Sequence, residues 1–256
     1  MISATLTFAL LSSPAVTGTS PFAAHLQADA QVVSAEAMFD AATELEAFAE
    51  GEAEAEVVRT EYWAGHQVVF GTREVPVLGT LQTRMDTYVI ARVRRSESEI
   101  QIDERACKVD YVDVGGVKIY VDPAGLPDSR VVYERVEGTP HYAMSGTLDW
   151  GREDVDEDGK PGMRVYIDAP VCSGNLHVSN RTTTIARAFG DEDGTPIRGE
   201  VTLNTHQRIL DAEGKCLSAV AKDSYERSQG KFRYAKVKAN STCRSLLDAG
   251  WPTKAG

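Results

Sequence analysis

Lysine and arginine are missing from the first 58 of the 256 residues; the first of either is Arg59. No apolar run approaches the ~20 residues that a membrane-crossing helix needs, so no transmembrane segment is expected. Four cysteines occur, none in a Cys-x-x-Cys pair and none beside His at ligand spacing, which removes the common zinc modules. No Gly-x-Gly-x-x-Gly follows a strand pattern, and strand–helix alternation is absent, so a nucleotide-binding fold is not indicated. His-Glu-x-x-His and Gly-x-Ser-x-Gly are also absent, which excludes a zincin and a nucleophile elbow by motif. Bases are outnumbered, 27 against 38 acids, at pI about 5.0, and this balance predicts no nucleic-acid partner.

The net charge of −11 is unevenly spread. Asp29, Glu36, Asp40, Glu44, Glu46, Glu50, Glu52, Glu54 and Glu56 precede Arg59, so the acidity belongs to the N-terminal segment and the rest is close to neutral. Residues 1–30 combine an apolar stretch from Ala4 to Leu11 with Pro14, Gly18 and Pro21, the order of a secretory signal. Ser13-Pro-Ala15 and Ala28-Asp-Ala30 are small-x-small cleavage sites, although no base follows Met1. In residues 31–56, Met38, Ala42, Leu45 and Phe48 recur at helical spacing. This predicts a short helix over Ser34–Glu50, capped by Ser34 and stopped by Gly51, and then a solvated Glu-rich linker.

From residue 57 to 245 the pattern is alternation with frequent turns. Long runs such as Thr83–Arg95, His141–Trp150 and Arg198–Leu210 predict strands, as do Arg130–Val136, Met163–Ile167, Thr182–Phe189, Cys216–Ala221 and Lys231–Ala239. A phase shift between Ile102 and Cys107 predicts a β-bulge. Gly115-Gly116 predicts a two-residue hairpin pairing Val109–Val114 with Val117–Val121. Ten or more short-turned strands imply an all-β fold, an antiparallel barrel or strongly curved sheet, with a sandwich as the alternative. Residues 246–256 form a C-terminal tail, a short helix or a loose end.

Cys107, Cys172, Cys216 and Cys243 all fall in the β region. An even count behind a signal-like segment predicts two disulfides and an extracytoplasmic location, periplasmic or secreted. Three pairings are possible. Sequence order favours Cys107–Cys172 with Cys216–Cys243.

One motif carries specific chemistry. Asp154-Val-Asp156-Glu-Asp158-Gly159-Lys160 sets carboxylates at alternate positions and then a glycine. It resembles the first half of the EF-hand and dockerin-type calcium loop. Hard dications take six to eight oxygens, and alternating Asp side chains converge when the backbone curls. The resemblance implies a structural Ca2+ held by Asp154, Asp156, Asp158 and the Lys160 carbonyl. It covers seven residues. Pro161 and Gly162 replace the helical continuation, and Val165 stands where the family has a bidentate acid, so Asp149, Glu153 or Asp168 would have to supply that ligand.

His25, His66, His141, His177 and His206 are well separated and no catalytic set stands out, so no enzyme activity is assigned. The expected function is that of an exported, non-enzymatic β-barrel binding protein, with a small apolar or carbohydrate ligand inside the barrel or on its rim. The alternative is a structural module that contacts a protein surface. A hydrolase with a hidden triad ranks third. Asn180 and Asn240 each begin a glycosylation sequon.

Overall fold

The computed structural model describes residues 59–75, 79–112, 116–170, 172–189 and 195–255. The expected signal segment and the helix over Ser34–Glu50 lie outside the described residues. Ten strands form one antiparallel sheet: β1 (Arg59–Val75), β2 (Gly79–Arg95), β3 (Glu99–Tyr111), β4 (Lys118–Tyr120), β5 (Ser129–Arg135), β6 (His141–Trp150), β7 (Met163–Asp168), β8 (Gly174–Phe189), β9 (Ile197–Ala212) and β10 (Ser224–Lys236).

Eight of these close a barrel. β1, β2, β3, β5, β6, β8, β9 and β10 each pair with the next barrel strand in the chain, and β10 returns to β1. The connectivity is therefore up-and-down, which leaves the barrel wall without an open edge. β4 and β7 stand outside the ring as an extension on β8. The barrel alternative of the sequence reading is the correct one.

Strict alternation sorts the side chains. Trp63, Val69, Val89, Ile100, Ile102, Val131, Tyr133, Tyr142, Leu203, Phe232 and Tyr234 point inward and form one buried cluster. Eight strands leave an interior just wide enough for side chains to fill it. Gly65 belongs to that packing: a Cβ there would lie 2.3 Å from the Tyr234 ring. A second cluster, including Trp150, Met163, Val165, Leu176 and Val178, lies beneath β7 and the loops around it. Outward positions carry charge instead, among them Arg92, Arg94 and Asp103 on β2 and β3, and Arg198, Glu200 and Arg208 on β9. A lipid-embedded barrel needs the reverse, an apolar band facing out. Among the described residues no helix is long and apolar enough to cross a membrane.

The bulge is where the alternation put it. Tyr88 pairs with Lys108 and Val89 with Ala106, so Cys107 is the extra residue. Three expectations fail. Gly116 has the positive φ expected of it, 79°, but Gly115 lies outside the described residues and the hairpin does not form: β4 pairs with β7, and Tyr111 with Met85. β5 covers only Glu99–Glu104 of β3, and β4 takes its partner from β7, Lys118 to Tyr120 lying opposite Asp168 to Tyr166. Cys216–Ala221 is not a strand; Lys215–Val220 is a helical turn, α1, with Leu217 alone buried. The disulfides join Cys107 to Cys243 and Cys172 to Cys216, not neighbours in sequence order. Closing the barrel brings the chain after β10 back across β1 and β2 towards β3. This sets helix α2 (Cys243–Ala249) beside Cys107, with a Cα–Cα distance of 5.2 Å.

The tail after α2 is not loose. It lies on the outer face of β1 and β2. The Trp251 indole N–H donates to the Gly65 carbonyl at 3.1 Å, and the Ala255 amide donates to His66 Nδ1 at 2.8 Å. Since Nδ1 accepts, the ring proton is on Nε2, which donates to Asp86 Oδ1 at 2.9 Å. Burial holds the His66 pKa below its ordinary value, and the Asp86 hydrogen bond opposes that shift.

Candidate metal centre

The Asp-rich loop, residues 151–162, links β6 to β7. Its curl is built from its own carboxylates. The amides of Asp158 and Gly159 donate to the two oxygens of Asp154 at 3.0 and 2.8 Å. Lys160 N–H donates to Asp158 Oδ1 at 2.9 Å, and Arg164 N–H to Asp156 Oδ2 at 3.1 Å. Gly159 supplies the positive φ of 86° that the turn needs, and Glu157 takes 55°. Gly162, at φ 85°, lets the loop close on β8, since a Cβ there would lie 2.4 Å from the Val178 carbonyl.

The result is a preformed acidic cup. One oxygen from each of Asp154, Asp156 and Asp158 lies within 4.8 Å of the others. A dication bonded to oxygen at about 2.3–2.6 Å reaches three ligands so spaced. Asp156 Oδ1 is buried without a hydrogen-bond partner, an orphaned acceptor that a cation would satisfy. The three carboxylates therefore fit the expected ion. The acids proposed to replace the missing bidentate ligand do not join them. Asp149 faces Arg181 at 3.9 Å, Asp168 accepts from the Ser173 hydroxyl, and Glu153 is outside the group. Lys160 sends its Nζ to Glu213 Oε1 at 2.5 Å.

His177 stands behind the cup and was not legible as part of it. It is 1% exposed, and neither ring nitrogen makes a hydrogen bond. Nδ1 lies 3.7 Å from Asp158 Oδ2 and Nε2 lies 3.7 Å from Glu213 Oε1. Only the pairing of β7, β8 and β9 places it there, so no local spacing could have found it.

Elsewhere among the described residues, the buried ionisable groups His66 and Glu104 are each held by structural hydrogen bonds. His66 is held by Asp86 on one side and a backbone amide on the other, which leaves neither nitrogen for a hydroxyl nucleophile. Glu104, inside the barrel, accepts from the Tyr234 hydroxyl at 2.6 Å and from Ser129 at 3.2 Å. Burial pushes its pKa up to about 6 against those two hydrogen bonds. Asn180 is 3% exposed and faces inward, so its sequon is closed to modification in the folded barrel.

No protein-family model and no curated protein matches this sequence. Among solved structures the chain is similar to Neisserial surface protein A (NspA). The identity is 7% and the TM-score 0.40, over 71% of this chain and 100% of that one. Likeness at that level says nothing about ligand or location.

Proposed function

We propose that the chain is an exported, calcium-stabilised β-barrel that acts through its outer surface, as a surface-interaction module. The observation behind this choice is the filled interior: Trp63, Tyr133, Phe232 and Tyr234 meet inside the ring and are 1–4% exposed. A barrel that carries a small apolar ligand keeps that space open. Two disulfides and no free cysteine agree with an oxidising compartment. In this reading Ca2+ sits on Asp154, Asp156 and Asp158, with the Lys160 carbonyl as a further ligand, and ties β6 to β7. Affinity is weak, roughly 10⁻⁴–10⁻³ M, the range of extracellular modules. Calorimetric melting tests it. Millimolar Ca2+ should raise the melting temperature over that in chelator, and Asp156→Ala should abolish the difference. Equal melting of the wild type in both buffers removes the calcium. Four free thiols in protein from its native host remove the export.

A second reading, a small polar ligand within the barrel, has one observation in its favour. The side-chain amides of Asn180 and Gln67 face inward with buried nitrogens that lack a partner. Native mass spectrometry showing a retained small molecule would select it over the first.

A further inference from the structure

The outer wall of β8, β9 and β10 is basic in a way the rest of the barrel is not. Arg187, Arg198, Arg208, Arg227, Lys231 and Arg233 are all exposed there; against them stand Glu200, opposite Arg187 and Lys231, and Asp211 near the end of β9. Among the described residues no carboxylate forms an ion pair with Arg187, Arg198, Arg208, Arg227 or Arg233, whereas Arg84, Arg92, Arg94 and Arg105 of β2 and β3 are matched to aspartates; on β8, Arg181 at the β6 side faces Asp149. Register makes the excess sharper. Arg198 and Arg233 are direct cross-strand partners, an arrangement in which like charges repel. An anion lying between them turns that repulsion into two attractions.

We propose that this wall binds a linear anionic polysaccharide along the strands. The choice of partner follows from the shape and chemistry of the face. From Arg198 to Arg208 the strand runs about 33 Å, at about 3.3 Å per residue, with basic groups at both ends. Between them Thr202, Asn204 and Gln229 point outward and can hydrogen-bond sugar hydroxyls. Tyr225, 70% exposed beside His206, offers a flat apolar face of the kind sugar rings pack on. A membrane surface would ask for an apolar band to insert, and single-stranded nucleic acid for a row of aromatic platforms. The wall has Ile185 and Tyr225 as its large exposed apolar groups. This inference rests on the reading above only in taking the outer surface as the working one.

The test is binding by the full chain, with heparin and polygalacturonate as sulfated and carboxylated probes and dextran as the neutral one. At about 50 mM salt the protein should bind both anionic probes and ignore dextran. Affinity should fall steeply as salt rises, because bound counterions are released. Arg198→Glu/Arg233→Glu should weaken heparin binding by about ten-fold or more, and Arg198→Gln/Arg233→Gln by less. Lys118→Glu/Lys238→Glu, the same charge change off this wall, should alter it by less than about two-fold. Arg198 and Arg233 are exposed and carry no ion pair, so both of their double variants should melt with the wild type. Failure to bind either anionic probe, or equal loss in both Glu variants, overturns the proposal. Tighter binding to a single-stranded oligonucleotide or to phosphatidylglycerol vesicles than to heparin overturns the choice of partner. A calcium-dependent melt alongside no heparin binding would discard this inference and leave the calcium-stabilised barrel standing.

Discussion

The barrel has two charged walls of opposite design. On β2, β3 and β5, arginines and aspartates are matched. Asp103 receives Arg130 at 2.5 Å, Arg94 at 2.7 Å and Arg92 at 3.3 Å, and Arg105 meets Asp128 through two bonds of 2.7 Å. On β8, β9 and β10, Arg187, Arg198, Arg208, Arg227 and Arg233 have no such partners among the described residues, and Arg181 alone of the exposed arginines on β8 faces an aspartate, Asp149 of β6 at 3.9 Å. The first wall uses its charges to tie three strands together, and the second leaves them for something outside the molecule. Arginine content alone does not separate the two; what separates them is where the aspartates are. Both designs rest on the same alternation, which sends every second residue to the solvent.

The matched wall is also the bolted one, and the largest expected effect comes from its bolt. Cys107 sits on β3 and its partner Cys243 lies 136 residues away; Cys172 and Cys216 are separated by 44. In the chain-entropy model these closures stabilise by about 5 and about 4 kcal/mol. Cys107→Ala/Cys243→Ala should therefore cost more in urea unfolding than Cys172→Ala/Cys216→Ala. The reverse order would mean that α2 and the tail contribute little to the first wall.

Next comes Asp103. Burial raises its pKa, but hydrogen bonds from Arg130, Gln101 and Arg94 outweigh that and bring it to about 2. A folded-state pKa below the unfolded value of 3.8 gives stability that is present above pH 3.8 and lost as pH falls through about 2. Asp103→Asn should cost about 2 kcal/mol at pH 7 and nothing near pH 2, measured by chemical denaturation. The same measurement on Arg198→Gln/Arg233→Gln should show a change within about 0.5 kcal/mol. If the two walls respond alike, the distinction between them is only apparent.

The last effect has the opposite sign. Glu104 is raised from 4.5 to about 6, so the folded state holds its proton more tightly than the unfolded chain does. Its contribution is favourable below pH 4.5 and is lost as pH rises through about 6, a change of about 2 kcal/mol at most. Glu104→Gln should therefore stabilise the barrel above pH 6 and flatten the pH dependence between 4.5 and 6. An unchanged profile would show that Tyr234 and Ser129 compensate for burial in full.

Much of the wall is legible in sequence, because alternation is a property of each strand alone. His141–Trp150 has the bounds expected of it, and the bulge at Cys107 follows from a phase shift among near neighbours. What fails involves partners distant in the chain. The backbone does turn at Gly116, but the segment after it pairs with β7, about fifty residues on, and not with β3. Cys216-Leu-Ser-Ala-Val220 alternates like a strand, yet β9 and β10 pair directly and leave it to curl outside them. In the acidic cup, Asp154, Asp156 and Asp158 meet through local turns, so their grouping is legible in the motif. His177 reaches the same place only by strand register.

The seam between β1 and β10 has a consequence for the order of events in folding. Seven of the eight barrel junctions join strands that follow one another along the chain. The eighth pairs Trp63 with Lys236, and the Cys107 bolt waits for Cys243. All of the chain from β1 to β10 must therefore exist before the ring can shut. Such long-range closure is slow, and until it happens both terminal strands offer unpaired edges. A ring that shuts only when β10 arrives therefore exposes the free edge of β1 throughout the making of every other barrel strand.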